Sequence, residues 1–329
     1  MVGTRRAASA AAQCRLEVVV DLEEERAKQL ADRYESRFTS HWEDVVTDRN
    51  VDAVAVCTSN NFLAPITIAA LEAGKHVLCE KPMGRNSTEA VLMASAAGAA
   101  GRILKVGFTL RFHPAIRKAH QICADGELGP VFSVEATYGH GGRPGYEKEW
   151  RGNAELAGGG ELLDQGVHLL DLSRWFLGDV DVIAAVTPRW HWDVAPLEDN
   201  AFIVLQTRGG QVASLHTSWT QWKNRFSFEV FGRDGYARVD GLGGSYGLET
   251  LTVGRKKGEG AAPAETVSKY QQSARSWEAD WRDFITSIED GRDPEVGAGG
   301  GLATMRLVDE VYALASANEA NPAGASAKG

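Results

Sequence analysis

Cysteine is scarce, with only four in 329 residues. Cys14, Cys57, Cys79 and Cys123 stand far apart without a C-x-x-C pair, so none reads as a metal ligand, and no metal is expected. Cys57 and Cys79 sit inside apolar runs, where a free thiol packs as a small hydrophobe. Positive charge is in deficit: 35 Lys and Arg stand against 44 Asp and Glu, for a net charge of -9 and a pI near 5.5. That balance argues against a nucleic acid and against an anionic membrane surface as partners. No uninterrupted apolar run approaches the roughly 18 residues of a membrane span. The amino-terminal stretch MVGTRRAASAAAQCRLEVVVD also lacks the apolar block of a secretory signal, so a cytoplasmic protein is expected.

What is present is enough apolar material for two packed domains, 43% of residues. Through the first third, near-continuous apolar runs alternate with helical patterns. LEVVVDL (16–22), VDAVAVCT (51–58), HVLCEK (76–81) and ILKVGF (103–108) read as parallel strands buried on both faces. EEERAKQLADRY, APITIAALEAG and STEAVLMASAAGAAG between them carry helical spacing, and Gly74 closes the second. This βαβ alternation predicts a doubly wound, Rossmann-like sheet over residues 1–112.

Beyond residue 112 the pattern turns antiparallel. VFSVEATY (131–138), AFIVLQT (201–207), QVASLHTSWT (211–220), RFSFEVFG (225–232) and GYARVDG (235–241) follow one another, with RGG (208–210) and RDG (233–235) as hairpin turns. An α+β domain over 113–329 is therefore predicted, with a mainly antiparallel sheet, a helix at 161–177 and a last helical stretch from Trp277. Residues 316–329, which end in ANEANPAGASAKG, have the composition of a disordered end.

A dinucleotide fold places an acid at the carboxyl end of its second strand to accept hydrogen bonds from the adenine ribose, and Asp21 stands at such a place. An acid there repels a 2'-phosphate, so NAD is favoured over NADP; an acid that merely caps the next helix is the plain alternative. Thr58, Ser59 and Asn60 end the next strand ahead of a helix whose amino end suits a phosphate. The first strand and the early glycines of G-x-G-x-x-G are missing, and Gly3 reads as the last of them. The parallel sheet is thus truncated at its first, central strand, as in a gene product that starts late.

VDAVAVCTSNNFLAPITIAALEAGKHVLCEKPMG, KVGFTLRFHPAI and GGGELLDQGVHLLDLSRWFLG together resemble the glucose-fructose oxidoreductase and inositol dehydrogenase (Gfo/Idh/MocA) family over nearly the whole chain. Ser59 and Leu63 depart from it, standing where many relatives carry Pro and His. The resemblance implies an NAD(P)-dependent oxidoreductase that transfers a hydride between a secondary hydroxyl of a sugar, nucleotide sugar or cyclitol and nicotinamide. It assigns His168 as general base, Asp164 as its substrate-binding and orienting neighbour, and Lys81 as the cation on the substrate oxygen. It adds Glu80, Lys81 and Arg111 to the cofactor contacts and implies a cis bond before Pro82. An NAD-assisted glycosidase, or a non-catalytic relative that has lost the cofactor, is the alternative.

The residues themselves support the same chemistry. Asp164, His168, Asp171 and Trp175 fall at i, i+4, i+7 and i+11, one face of a helix, after a Gly158-Gly159-Gly160 approach that admits a ligand. A base near neutral pKa and one cation suffice to oxidise a secondary alcohol. Lys81, Asp164 and His168 are therefore expected to converge on one cleft. His140, Arg143, Trp150 and Arg151 are candidate contacts for polyol hydroxyls, and Trp219, Gln221 and Trp222 are either pocket residues or sheet packing. Trp219, Phe226, Phe228 and Phe231 lie on both faces of the sheet, which predicts a homodimer or homotetramer packed through it unless the loop 242–275 covers the second face.

Overall fold

The computed structural model describes residues 2–258, 260–271 and 275–320. The α-helices are α1 (Val2–Ala11), α2 (Glu24–Asp32), α3 (Trp42–Thr47), α4 (Asn60–Glu72), α5 (Ser87–Ala100), α6 (Pro114–Ala124), α7 (Ala154–Ala157), α8 (Val167–Leu177), α9 (Arg275–Asp290) and α10 (Ala298–Ala320). The chain divides into two compact units, one running to Thr109 and including Arg275–Ala303, the other holding Leu110–Ala274 and the chain from Thr304 onward. Where the sequence reading keeps everything beyond 112 together, α9 instead packs on α1 in the first unit.

Strands of the first unit are β1 (Val18–Val20), β2 (Arg37–Thr39), β3 (Ala53–Val56), β4 (His76–Glu80) and β5 (Leu104–Gly107). All pair in parallel, but in two separate sheets, β1-β2 and β3-β4-β5. Among the described residues no strand joins β1 to β3. The consequence is visible in burial: β4 and β5 are buried almost throughout, while Ala55 of β3 is exposed and two of the three residues of β1 are only half-buried. The expected two-sided burial therefore holds for β4 and β5 and fails for β1 and β3. Local chemistry fixes the helix ends. Asn86 Oδ1 accepts the Glu89 N–H at 3.0 Å to open α5, and Gly101 in the left-handed region closes it.

A buried ionic cluster ties this unit together. Arg6 of α1 donates to Glu80 at the end of β4 (2.6 Å) and pairs with Asp280 of α9 (2.6 Å), while Lys105 of β5 reaches Asp280 (3.1 Å) and Asp283 (2.7 Å). Nothing in the sequence pattern announced it, because four elements far apart in the chain supply the charges.

The second unit is built on an eight-stranded sheet in the order β13-β12-β11-β10-β6-β9-β8-β7. Its strands are β6 (Val131–Gly139), β7 (Asp181–Val186), β8 (Asn200–Gln206), β9 (Val212–Ser218), β10 (Arg225–Gly232), β11 (Gly235–Asp240), β12 (Glu249–Arg255) and β13 (Ala264–Tyr270). Only β6 and β9 pair in parallel. The stretch 242–275, the alternative cover for the second face, supplies two further strands, β12 and β13, at the edge of the sheet. One face is buried at every second position: Val134 and Ala136 on β6, Ile203 and Leu205 on β8, Leu215 on β9, Phe228 and Val230 on β10, Val239 on β11. Trp219, Phe226 and Phe228 are buried within the chain and do not form an exposed face. The other face mixes Phe202, Val204 and Val186 with Glu135, Glu229, Ser214 and His216. α10 continues to Ala320, so 316–320 is helical, and 321–329 of the expected tail lies outside the described residues.

Candidate functional site

In the second unit the expected helix 161–177 forms as one helical run, but not as α-helix throughout. Leu162–Gly166 form a π-helical turn, and α8 follows from Val167. A π turn takes more residues per revolution than an α turn, so the strict i, i+4 alignment of Asp164 with His168 no longer holds; such insertions recur at functional sites. The three glycines before it are not clearance for a ligand. Gly158 closes α7 in the left-handed region, a Cβ on Gly159 would lie 2.3 Å from the Tyr312 hydroxyl, and one on Gly160 would lie 2.0 Å from the Glu198 carbonyl oxygen.

Around this turn a polar cluster assembles. Nitrogen or oxygen atoms of His140, Glu161 and Asp164 lie within 4.8 Å of one another. Arg151 Nε donates to Asp164 (3.1 Å), and its guanidinium lies 4.4 Å from the Trp150 ring centre. The three groups have the donor chemistry of a cation site, and the positive charge on Asp164 is that of Arg151. Burial opposes the charge on Arg151, yet Asp164 beside it raises its pKa. Glu161 is fully buried and accepts a 2.5 Å hydrogen bond from Thr217 of β9. His140 Nδ1 accepts the Gly142 N–H at 2.9 Å, and burial lowers the pKa of this imidazole despite the nearby Asp164. His168 is buried on α8, its ring 6.1 Å from that of Tyr138 on β6, and Tyr138 is 5.4 Å from Tyr246. Burial pushes the Tyr246 phenol up to about 12 and Tyr138 well above its ordinary value, so both stay protonated as hydrogen-bond donors. The Gln165 amide donates to the Tyr246 hydroxyl at 2.9 Å.

The structure thus brings together His140, Trp150, Arg151, Asp164 and His168, and adds Tyr138, Glu161, Thr217 and Tyr246, which the sequence reading did not single out. Glu161 had a signal, lying in the same GGGELLD stretch as Asp164; the tyrosines had none. Arg143 is largely exposed and held by Glu149 through bonds of 2.7 and 2.6 Å. Trp219, just past β9, packs outside the sheet in a buried cluster with Tyr146, 4.8 Å between ring centres, and Trp222 is exposed. Arg111, which the resemblance assigns to the cofactor, is buried and grips Asp171 of α8 through two 2.7 Å bonds, with its guanidinium 5.1 Å from Trp175.

In the first unit Lys81 follows β4 and is half-buried, and its bond to Pro82 is cis, as the resemblance implies. Glu80 is turned inward to Arg6. Asp21 follows β1; its Oδ1 accepts the Glu23 N–H at 3.0 Å and lies 3.8 Å from Arg26, but it does not cap α2, whose first turn has no side-chain cap. Thr58 donates to the Ser59 carbonyl, and Ser59 Oγ bonds Asn61 instead of capping α4, so the amino end of that helix carries no side-chain cap from it. Gly3 lies in the first turn of α1, where an added Cβ would make ordinary contact, 3.7 Å from Cys57 Cβ. An acid after β1, an uncapped helix end after β3 and a lysine after β4 are groups suited to the ribose, phosphate and nicotinamide ends of a dinucleotide.

Comparisons with known proteins agree with this layout. Residues 2–108 match a family profile described as "Oxidoreductase family, NAD-binding Rossmann fold", and residues 116–238 match the "GFO/IDH/MocA C-terminal domain". A 1,5-anhydro-D-fructose reductase of Ensifer adhaerens is 30% identical over 84% of this chain and 82% of its own length. A levoglucosan dehydrogenase of Pseudarthrobacter phenanthrenivorans is 32% identical over 59% of this chain, but the match spans only 50% of the relative. Among solved structures, an oxidoreductase domain protein from Kribbella flavida superposes with a TM-score of 0.86 at 26% identity, covering 96% of this chain and 95% of that one. A levoglucosan dehydrogenase in complex with NADH and levoglucosan has the same fold, with a TM-score of 0.85 at 22% identity over 95% of this chain and 93% of that one. With both halves matched in order, and a relative aligned over most of its length, the chain belongs to the GFO/IDH/MocA family of oxidoreductases.

Proposed function

We propose that the protein is an NAD-dependent oxidoreductase acting on a secondary hydroxyl of a sugar, nucleotide sugar or cyclitol. The observation that carries this reading is the polar cluster of the second unit, where His140, Glu161 and Asp164 meet within 4.8 Å under a Trp150–Arg151 pair, on the turn that leads into His168. Carboxylates, an imidazole and a guanidinium beside an indole suit a ring bearing several hydroxyls, whose polar edges need partners while its apolar faces need an aromatic surface. Two relatives whose names denote levoglucosan and 1,5-anhydro-D-fructose as substrates support the substrate class.

In this reading His168 takes the hydroxyl proton, Lys81 steadies the oxygen from which it leaves, and Asp164, held by Arg151, binds a neighbouring hydroxyl. The protonated Tyr138 and Tyr246 and the buried Glu161 wall the cluster from water. Bound NAD supplies the hydride acceptor; Asp21, Thr58, Ser59, Asn60 and Lys81 are the residues of the first unit that would hold it, and Asp21 favours NAD over NADP. The open face of the eight-stranded sheet, with Phe202, Val204 and Val186, is the surface through which two copies would pair. Four free cysteines are consistent with a reducing, cytoplasmic location.

The test is a panel of levoglucosan, 1,5-anhydro-D-fructose, D-glucosides, D-xylose and inositol, assayed with NAD and NADP by the absorbance of the reduced cofactor. Turnover of one or more of them that vanishes in His168→Ala is expected. Bond cleavage without net NADH would mean the glycosidase instead, and failure of both NAD and NADP to raise the melting temperature would refute cofactor use.

A further inference from the structure

Glu198 is a buried carboxylate that the chemistry above does not use. It precedes β8, only 6% exposed, and it takes all three N–H groups at the start of the segment that bears Asp164 and His168. Its Oε2 accepts from Gly160 (3.1 Å), its carbonyl oxygen from Glu161 (3.2 Å) and its Oε1 from Leu162 (2.9 Å). A fourth donor, the Tyr312 hydroxyl of α10, reaches Oε1 at 2.9 Å. The first N–H groups of a helical segment have no partner within it, and a negative charge there is favoured by the helix dipole. Gly159 and Gly160 are the sequence correlate of this grip, since a side chain at either would collide with Tyr312 or Glu198.

We propose that Glu198 is a positioning residue for the reaction: with Tyr312 it fixes the amino end of the π turn, and through that turn the placement of Asp164 and His168. The proposal rests on the reading that those two residues carry the chemistry. Glu198 lies 36 to 38 positions from the amides it binds and touches none of the residues assigned to substrate or cofactor. The π turn departs from α spacing, and the N–H groups that open it find their partners in Glu198 instead of in the helix. Burial raises the pKa of Glu198 to about 7, so its environment leaves the group near the balance between its charged and neutral forms.

The experiment compares Glu198→Gln and Tyr312→Phe with the wild-type enzyme in two ways. Hydrogen exchange of the backbone amides from 160 to 163 needs no substrate and should accelerate in Glu198→Gln while amides of β4 and β5 stay unchanged. With the best sugar of the panel above, kcat should fall roughly 100-fold, the loss that an ångström of misplacement brings, while KM for NAD stays that of wild type. Tyr312→Phe, which keeps all the amide bonds, should lose less and show the same split; if Glu198→Gln does not fold, it decides alone. Unchanged exchange at 160–163, or a kcat within about threefold of wild type beside a lowered melting temperature, would overturn the proposal. His168→Ala is the control. If it stays active, the site reading itself falls; if it is inactive while Glu198→Gln is unimpaired, only the positioning role falls.

Discussion

Replacing Arg111 by Met separates two roles that the sequence leaves entangled. The resemblance gives Arg111 to the cofactor, whereas the structure buries its guanidinium against Asp171, which has no exposure, through two bonds of 2.7 Å. Removing one partner of such a pair strands a carboxylate in the core, at a cost of about 3–5 kcal/mol. For a unit of this size each kcal/mol lowers Tm by roughly 2–4 °C, so a fall on the order of 10 °C is expected. The double variant Arg111→Met, Asp171→Leu removes both charges and should recover most of that loss, because apolar replacement of a whole buried pair is close to neutral. Thermal unfolding by circular dichroism gives both numbers, and a titration with NAD gives the Kd of the folded variant. If Arg111→Met melts within about 1 °C of wild type while its Kd for NAD rises tenfold or more, the structural assignment is wrong.

Four further outcomes are expected. Lys81→Ala should abolish turnover and leave NAD binding largely intact, read by a stopped assay beside a titration; an ordinary kcat would make the lysine structural. Arg6→Ala should cost about 3–5 kcal/mol in urea unfolding of the first unit, since Glu80 and Asp280 lose their shared cation; a loss below about 1 kcal/mol would refute the cluster's role. Burial lowers the pKa of His76, His120, His140 and His216, so the unfolded chain binds protons that the folded one resists. The sign is that stability falls as pH drops below the unfolded histidine value of about 6.5, and urea midpoints that rise on acidification from about pH 7 to pH 5.5 would contradict it. Light scattering should give a mass well above the 35.5 kDa of one chain if the open sheet face pairs two copies.

The sequence by itself determined the class of most elements and the two hairpins β8–β9 and β10–β11. Unbroken Val, Ala and Leu runs made parallel strands, short turns around 208–210 and 233–235 made antiparallel ones, and Gly74 ended α4, because each of these choices is local in the chain. Short β2, with two of its three residues exposed, and polar β13, exposed along most of its length, carried too little periodicity to be read. What tertiary structure alone decided was the set of groups that meet. Arg6 finds Asp280, Thr217 finds Glu161, and Glu198 with Tyr312 finds the amides at 160–162, over separations of 36 to 274 positions. The π turn belongs with these. A run of GGGELLDQGVH has the spacing of an α-helix, and its π turn sits where Glu198 accepts from its amides, Thr217 of β9 donates to Glu161, and Tyr312 of α10 donates to Glu198, contacts that no local pattern encodes.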